Sequence, residues 1–160
     1  MKRHKKNRLN QVLQVFIEGT KRQRKLRDAL VPRISRVGDA CFDLYVAQDT
    51  VIPPGLFTPT DVPSGIRVKL PRGTDGEIKS RSGTYSNYPT LLIRSSPIDE
   101  NYIGPLSPRF INLGTEPVAV KRGERLAQLK IYKTVLPKIR VVEKLPKTNR
   151  GSRRYGSSGR

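Results

Sequence analysis

Short runs of alternating apolar residues, cut apart by proline and glycine, constrain this chain more than any other feature. Cys41–Ala47 reads CFDLYVA, with Phe42, Leu44 and Val46 on one side and Asp43 on the other. Gly65–Leu70 repeats the pattern with Ile66, Val68 and Leu70 inward, and Gln11–Ile17 places Leu13, Val15 and Ile17 on a shared face. Further short runs stand at Val51-Ile52, Leu56-Phe57, Glu77–Lys79, Leu91–Ile93, Arg109–Leu113, Pro117–Val120, Leu126–Tyr132 and Ile139–Val142. Pro53-Pro54-Gly55, Pro59 and the Pro71–Gly76 turn punctuate them, and thirteen prolines with thirteen glycines leave no long helical period. The expectation is an all-β chain, a sandwich or barrel of short strands around one core, which 160 residues suffice to build.

Composition narrows the chemistry. Cys41 is the only cysteine and His4, in a basic tail, the only histidine, which argues against an internal disulfide, a cysteine zinc site and histidine-based catalysis. No apolar run reaches the length of a membrane span and no signal-peptide core follows Met1, so a cytoplasmic protein is expected, or a nuclear one if the host is eukaryotic. The net charge of +19 is unevenly placed: residues 1–36 carry twelve Lys/Arg against two acids and residues 133–160 nine against one, while 37–132 has eleven against ten. Such ends could hold nucleic acid weakly, or only keep the protein soluble. The chain divides into a basic tail at 1–10, a β domain at 11–145 with a basic insertion near 19–30, and a Gly/Ser/Arg-rich arm at 146–160.

Five polar pieces interrupt the strand pattern. Ser95–Gly104 (SSPIDENYIG) reads as strand, tight turn and strand start, with Asp99 and Tyr102 near the bend, where a carboxylate and a ring can face one pocket. Ser80-Arg81-Ser82-Gly83 offers forked donors, a hydroxyl and an accessible backbone, a set suited to phosphate oxygens. In Gly123–Leu129, Ala127, Leu129 and Ile131 share a face and leave Gln128 opposite as a polar group able to reach a ligand. Arg150–Gly159 (RGSRRYGSSG) suits a flexible arm around phosphates, and Asp43, alone in an apolar strand, requires a partner or water. Taken singly, each piece is met more often as a solvated turn or tail.

Their order is more informative. Ala40-Cys-Phe-Asp43-Leu, Gly76-x-Ile78-x-x-Arg81-Ser82-Gly83, Ile98-Asp99-x-x-Tyr102-x-Gly104, Gly123-Glu-Arg125-Leu-Ala-Gln128-Leu and Arg150-Gly-Ser-x-x-Tyr155-Gly-Ser-Ser-Gly159 occur in that sequence. This series resembles the five-motif signature of the trimeric dUTPases and spans the chain from Val12 to Gly159, apart from the basic insertion. The resemblance implies a distorted jelly-roll β subunit, a homotrimer with sites between chains, and hydrolysis of dUTP to dUMP and pyrophosphate with Mg2+ held by the triphosphate. That reaction limits uracil incorporation into DNA and supplies dUMP for dTMP synthesis. The resemblance makes Asp99 the base for a water attacking the α-phosphorus, and Tyr102 the ring that packs on deoxyribose. It assigns Arg81, Ser82, Gly83 and Gln128 to the phosphates and Ser96 and Ile98 to the substrate pocket. Asp43 meets Mg2+ through water only, and Arg150, Tyr155 and Gly156 belong to an arm closing over a neighbouring subunit's nucleotide.

The chain departs from the family pattern at Ser96-Pro97, where Gly-Val is usual. Pro97 has no N–H to offer a base. Ile103 and Asn101 replace common charges, and Arg153-Arg154 replace a flexible Gly-Gly in the arm. Two alternatives remain: a dCTP deaminase on the same fold, and a regulatory or nucleic-acid-binding protein on the same scaffold.

Overall fold

The computed structural model describes residues 12–19 and 28–152. The tail at 1–10, Gln11, the basic run Lys21–Arg27, Arg153-Arg154, Tyr155 and Gly156 lie outside the described residues. Among the described residues, eleven strands and one short helix follow in order: β1 Gln14–Ile17, β2 Phe42–Tyr45, β3 Thr50–Ile52, β4 Gly55–Asp61, β5 Ile66–Lys69, β6 Thr74–Ser80, α1 Ser82–Asn87, β7 Leu91–Arg94, β8 Pro97–Ile98, β9 Arg109–Asn112, β10 Val118–Val120 and β11 Arg125–Lys133. The all-β expectation holds, and the architecture is jelly-roll-like.

All ladders between these strands are antiparallel, and most join strands distant in sequence. A four-stranded sheet runs β2-β11-β6-β8 and a three-stranded sheet β4-β9-β7, with β1-β5 and β10-β3 as two-stranded pieces. One hydrophobic core draws on every sheet. Leu44 (β2), Ile52 (β3), Ile66 and Val68 (β5), Phe110 (β9), Val120 (β10) and Leu129 (β11) are all buried in it. The inward residues read from alternation, Leu44, Val46, Ile66, Val68 and Leu70, are among them. Burying a Leu- or Phe-sized side chain is worth roughly 1.5–3 kcal/mol, so this set fixes the register of its strands.

Three local readings differ. Ser80–Gly83 is not a simple turn: Arg81 caps α1, where the Tyr88 amide donates to Thr84 O at 2.8 Å and the buried Thr84 hydroxyl donates to Leu126 O at 2.7 Å. The six-residue helix SGTYSN carries no apolar period, and its anchor on β11 is tertiary. Ser95–Gly104 does not close a hairpin on itself either, because β7 pairs with β9 whereas β8 pairs with β6, so the chain crosses between sheets at Ser95-Ser96. Ile139–Val142 forms no strand, and Ile139 and Val141 are almost fully exposed. Among the described residues no helix is long and apolar enough to cross a membrane.

Candidate active site

Gly76 seats the turn that carries Asp99. It lies opposite Ile98 across the β6–β8 ladder, and a Cβ there would come within 3.2 Å of Leu129 and 3.5 Å of Ile98. The missing side chain lets β8 lie close enough to bury Ile98 in the core while the next residue, Asp99, emerges into solvent. The chain then reverses, the Tyr102 amide donating to Asp99 O at 3.0 Å. Glu100 anchors the bend by accepting from the Gly73 amide at 2.7 Å, and Lys69 Nζ donates to Glu100 O at 2.6 Å and Asn101 Oδ1 at 3.2 Å. Tyr102 lies across Gly104 with its hydroxyl donating to Pro105 O at 2.9 Å. A Cβ on Gly104 would sit only 2.6 Å from the tyrosine Cζ, so this ring position requires glycine.

Asp99, Tyr102, Ser96 and Ile98 line one cavity of about 610 Å3. One wall, from β6 and β8, supplies Ile78, Ile98 and Asp99; the other comes from the end of the β4-β9-β7 sheet. There Asp61, Arg109 and Arg94 stand abreast, in register across three strands. Arg109 grips Asp61 with two parallel bonds of 2.7 and 2.8 Å. Hydrogen bonding to that guanidinium holds the Asp61 carboxyl below its usual value, and Asp61 in turn raises Arg109.

A second cluster assembles around Asp43. Its side chain is 8% exposed and both oxygens are engaged: Arg81 Nε donates to Oδ1 at 2.7 Å, while Ser35 Oγ and Arg125 Nη1 donate to Oδ2 at 2.6 and 3.2 Å. Arg81 Nη1 also donates to Arg125 O at 2.9 Å, and Gln128 Nε2 to Ser80 O at 2.8 Å. The partner that Asp43 requires is thus a pair of arginines, brought together by the strand order β2-β11-β6. Arg125 stands in the Gly123–Leu129 motif, where its local sequence marks no role; the β2–β11 pairing brings it to Asp43. Ser82 and Gly83 open α1 beside Arg81.

None of Asp43, Arg81, Ser82, Gly83, Gln128 or Arg150 lines the Asp99 cavity. Gly76 and Ser80 mark the two regions on β6, and four extended residues span about 13 Å. Arg150 lies in an exposed turn where the Gly151 amide donates to Thr148 O at 3.1 Å.

The residues do not build a cage for Mg2+. No group of three or more His, Cys, Asp or Glu side chains is placed to hold a metal among the described residues. Asp43 already serves two guanidinium groups, so a water-mediated approach to the ion would have to share Oδ1 with Arg81. Mg2+ is readily carried by phosphate oxygens and its own waters instead.

Fold and site together define a small all-β protein whose cavity presents an exposed carboxylate and a tyrosine, with an arginine cluster at the other end of β6. The family model described as dUTPase matches residues 27–159, and the chain belongs to that family. The deoxyuridine 5'-triphosphate nucleotidohydrolase of Caldanaerobacter subterraneus subsp. tengcongensis is 39% identical over 142 residues, covering 87% of this chain and 95% of the relative. That of Mycolicibacterium vanbaalenii is 37% identical over 140 residues, covering 83% and 90%. Among solved structures, a G164S mutant of the Staphylococcus bacteriophage 80alpha dUTPase with dUpNHpp superposes with a TM-score of 0.77 at 26% identity, covering 92% of this chain and 98% of that one.

Proposed function

We propose that the protein hydrolyses dUTP to dUMP and pyrophosphate as a homotrimer, limiting uracil incorporation into DNA and supplying dUMP for dTMP synthesis. The observation that carries this reading is the meeting of Asp99 and Tyr102 in one cavity, on a turn braced by Glu100, in a chain of the dUTPase family. In the proposed reaction the Asp99 carboxylate takes a proton from a water. The water oxygen bonds to the α-phosphorus, the bond from that phosphorus to the α–β bridging oxygen breaks, and the electron pair leaves with pyrophosphate. Positioning and charge neutralisation supply most of the acceleration in phosphoryl transfer, so a modest base suffices. Ser96 and Ile98 border the nucleoside, and Tyr102 packs on deoxyribose, where a 2′-hydroxyl would meet a ring with no polar partner.

Arg81, Ser82, Gly83 and Gln128 are assigned to the phosphates. Because they do not line their own chain's cavity, the reading gives them to the cavity of a neighbouring copy. Asp43 holds Arg81 by Nε while Nη1 is used on Arg125 O, which leaves Nη2 for a phosphate oxygen. Mg2+ is proposed to arrive on the triphosphate. Arg150, Tyr155 and Gly156 are proposed to close over a neighbour's nucleotide, with Tyr155 stacked on uracil and Arg150 toward the γ-phosphate. Exposed Leu136, Ile139 and Val141, beyond the last strand, favour packing of this chain end on another copy.

Pyrophosphate release from dUTP, dTTP, dCTP and UTP, with sedimentation of the same sample, tests the proposal. Turnover of dUTP by a trimer is expected. Ammonia from dCTP would favour the deaminase instead, and untouched dUTP would remove the reading.

A further inference from the structure

We infer that Arg94 is a base-reading residue of this cavity, donating to the O4 carbonyl of the uracil ring; the inference rests on the proposed dUTP hydrolysis. Three strands bring the charged groups of one wall into line, Asp61 beside Arg109 and Arg109 beside Arg94. Asp61 spends both oxygens on Arg109, so that pair is closed on itself. Arg94 also lines the cavity, is exposed, and its side chain has no hydrogen-bond or ion-pair partner among the described residues. A guanidinium carries five donors in a planar fork and no acceptor. Arg94 carries the guanidinium of that wall not tied to a carboxylate, beside the closed Asp61–Arg109 pair.

Its position selects the base over the phosphates. Arg94 and Asp99 stand on opposite walls, one at the end of β7 and the other just after β8. If Asp99 faces the α-phosphorus and Tyr102 the sugar, the remaining end of the nucleoside is the ring. Pro97 cannot supply a backbone donor in this stretch, and Arg94, three residues earlier, can. Uracil presents an acceptor at O4 where cytosine presents an amino donor. A guanidinium facing this position therefore accepts uracil O4 and leaves the cytosine amino group facing N–H groups. Thymine keeps O4 and is not distinguished by this contact.

The test is steady-state pyrophosphate release from dUTP, dCTP and dTTP by the full-length protein, Arg94→Ala and Arg94→Gln. A well-made arginine–base contact discriminates by roughly 5- to 150-fold. Arg94→Ala is expected to raise the dUTP KM about tenfold or more with kcat little changed, and to shrink the dUTP:dCTP preference in kcat/KM. The dUTP:dTTP preference should stay put, and Arg94→Gln, which keeps one amide donor, should recover part of the loss. An unchanged dUTP:dCTP preference overturns the inference. So does an equal loss on dUTP and dCTP, which would make Arg94 a phosphate contact. Both outcomes leave wild-type dUTP hydrolysis standing, whereas a wild-type protein inert toward dUTP defeats the proposed function itself. Because the side chain is exposed, the unfolding midpoint of both variants should match the wild type, separating these results from misfolding.

Discussion

Asp43→Asn is the substitution whose cost can be worked most fully. The carboxylate is 8% exposed, whereas the side chains of Arg81 and Arg125 are 22% and 47% exposed. The amide keeps the volume but removes the charge, and turns an NH2 group toward a guanidinium N–H or the Ser35 hydroxyl. Removing one partner of a buried pair costs about 3–5 kcal/mol when the other charge stays buried. Here both arginines can recover water, which brings the loss below that range, to about 2–3 kcal/mol. With an m-value of about 2 kcal/mol/M, the urea midpoint should fall by about 1–1.5 M. Far-ultraviolet circular dichroism reads this, at one fixed protomer concentration because association shifts apparent stability. Arg81→Met in the Asp43→Asn background should restore part of the loss, since it removes one stranded charge. A midpoint within 0.2 M of wild type (on the order of the method's scatter), or simple additivity of the two changes, would refute the idea that Asp43 neutralises this cluster.

Two further substitutions report on the cavity. Gly104→Ala places a Cβ 2.5 Å from the Tyr102 hydroxyl, so the half-exposed ring must swing off Pro105 O. Stability should fall by only about 1 kcal/mol, but the dUTP:UTP preference should narrow several-fold in pyrophosphate release, and an unchanged preference counts against Tyr102 as the sugar gate. Asp61→Asn tests the closed pair by pH. The folded carboxyl titrates below its unfolded value of 3.8, so its contribution is present above that pH and is lost as pH falls through the folded value. Urea midpoints should therefore decline less steeply between about pH 5 and 3 in the variant, by under about 1 kcal/mol for so exposed a pair; a steeper decline would contradict the pairing.

What could be read from the sequence was which residues seek burial, and not what they meet. Alternation in Ile66-Arg67-Val68-Lys69-Leu70 states the inward face by itself, because a strand's period is two, and the core bears it out. The same reasoning at Ile139–Val142 marks residues that would pack in a strand, but no edge among the described residues pairs with them. Asp43 could be seen to need a partner. That Arg81 and Arg125 supply it depends on β11 lying between β2 and β6, an order that no local spacing encodes. Likewise Asp99 and Tyr102 follow from a turn within four residues, whereas Arg94 joins them only because β7 and β8 go to different sheets. Helix α1 left no periodic signal, being held by Thr84 on Leu126 across 42 residues.

The most direct test of the account is Asp99→Asn, assayed for dUTP turnover and for nucleotide binding on the same sample. The account predicts that pyrophosphate release drops by at least about 100-fold, the scale of a lost general base, while dUTP affinity and the unfolding midpoint stay near wild type, since Asp99 is exposed and its turn is held by Glu100. Turnover that survives the substitution, or binding lost in step with it, would contradict the assignment of water activation to this carboxylate.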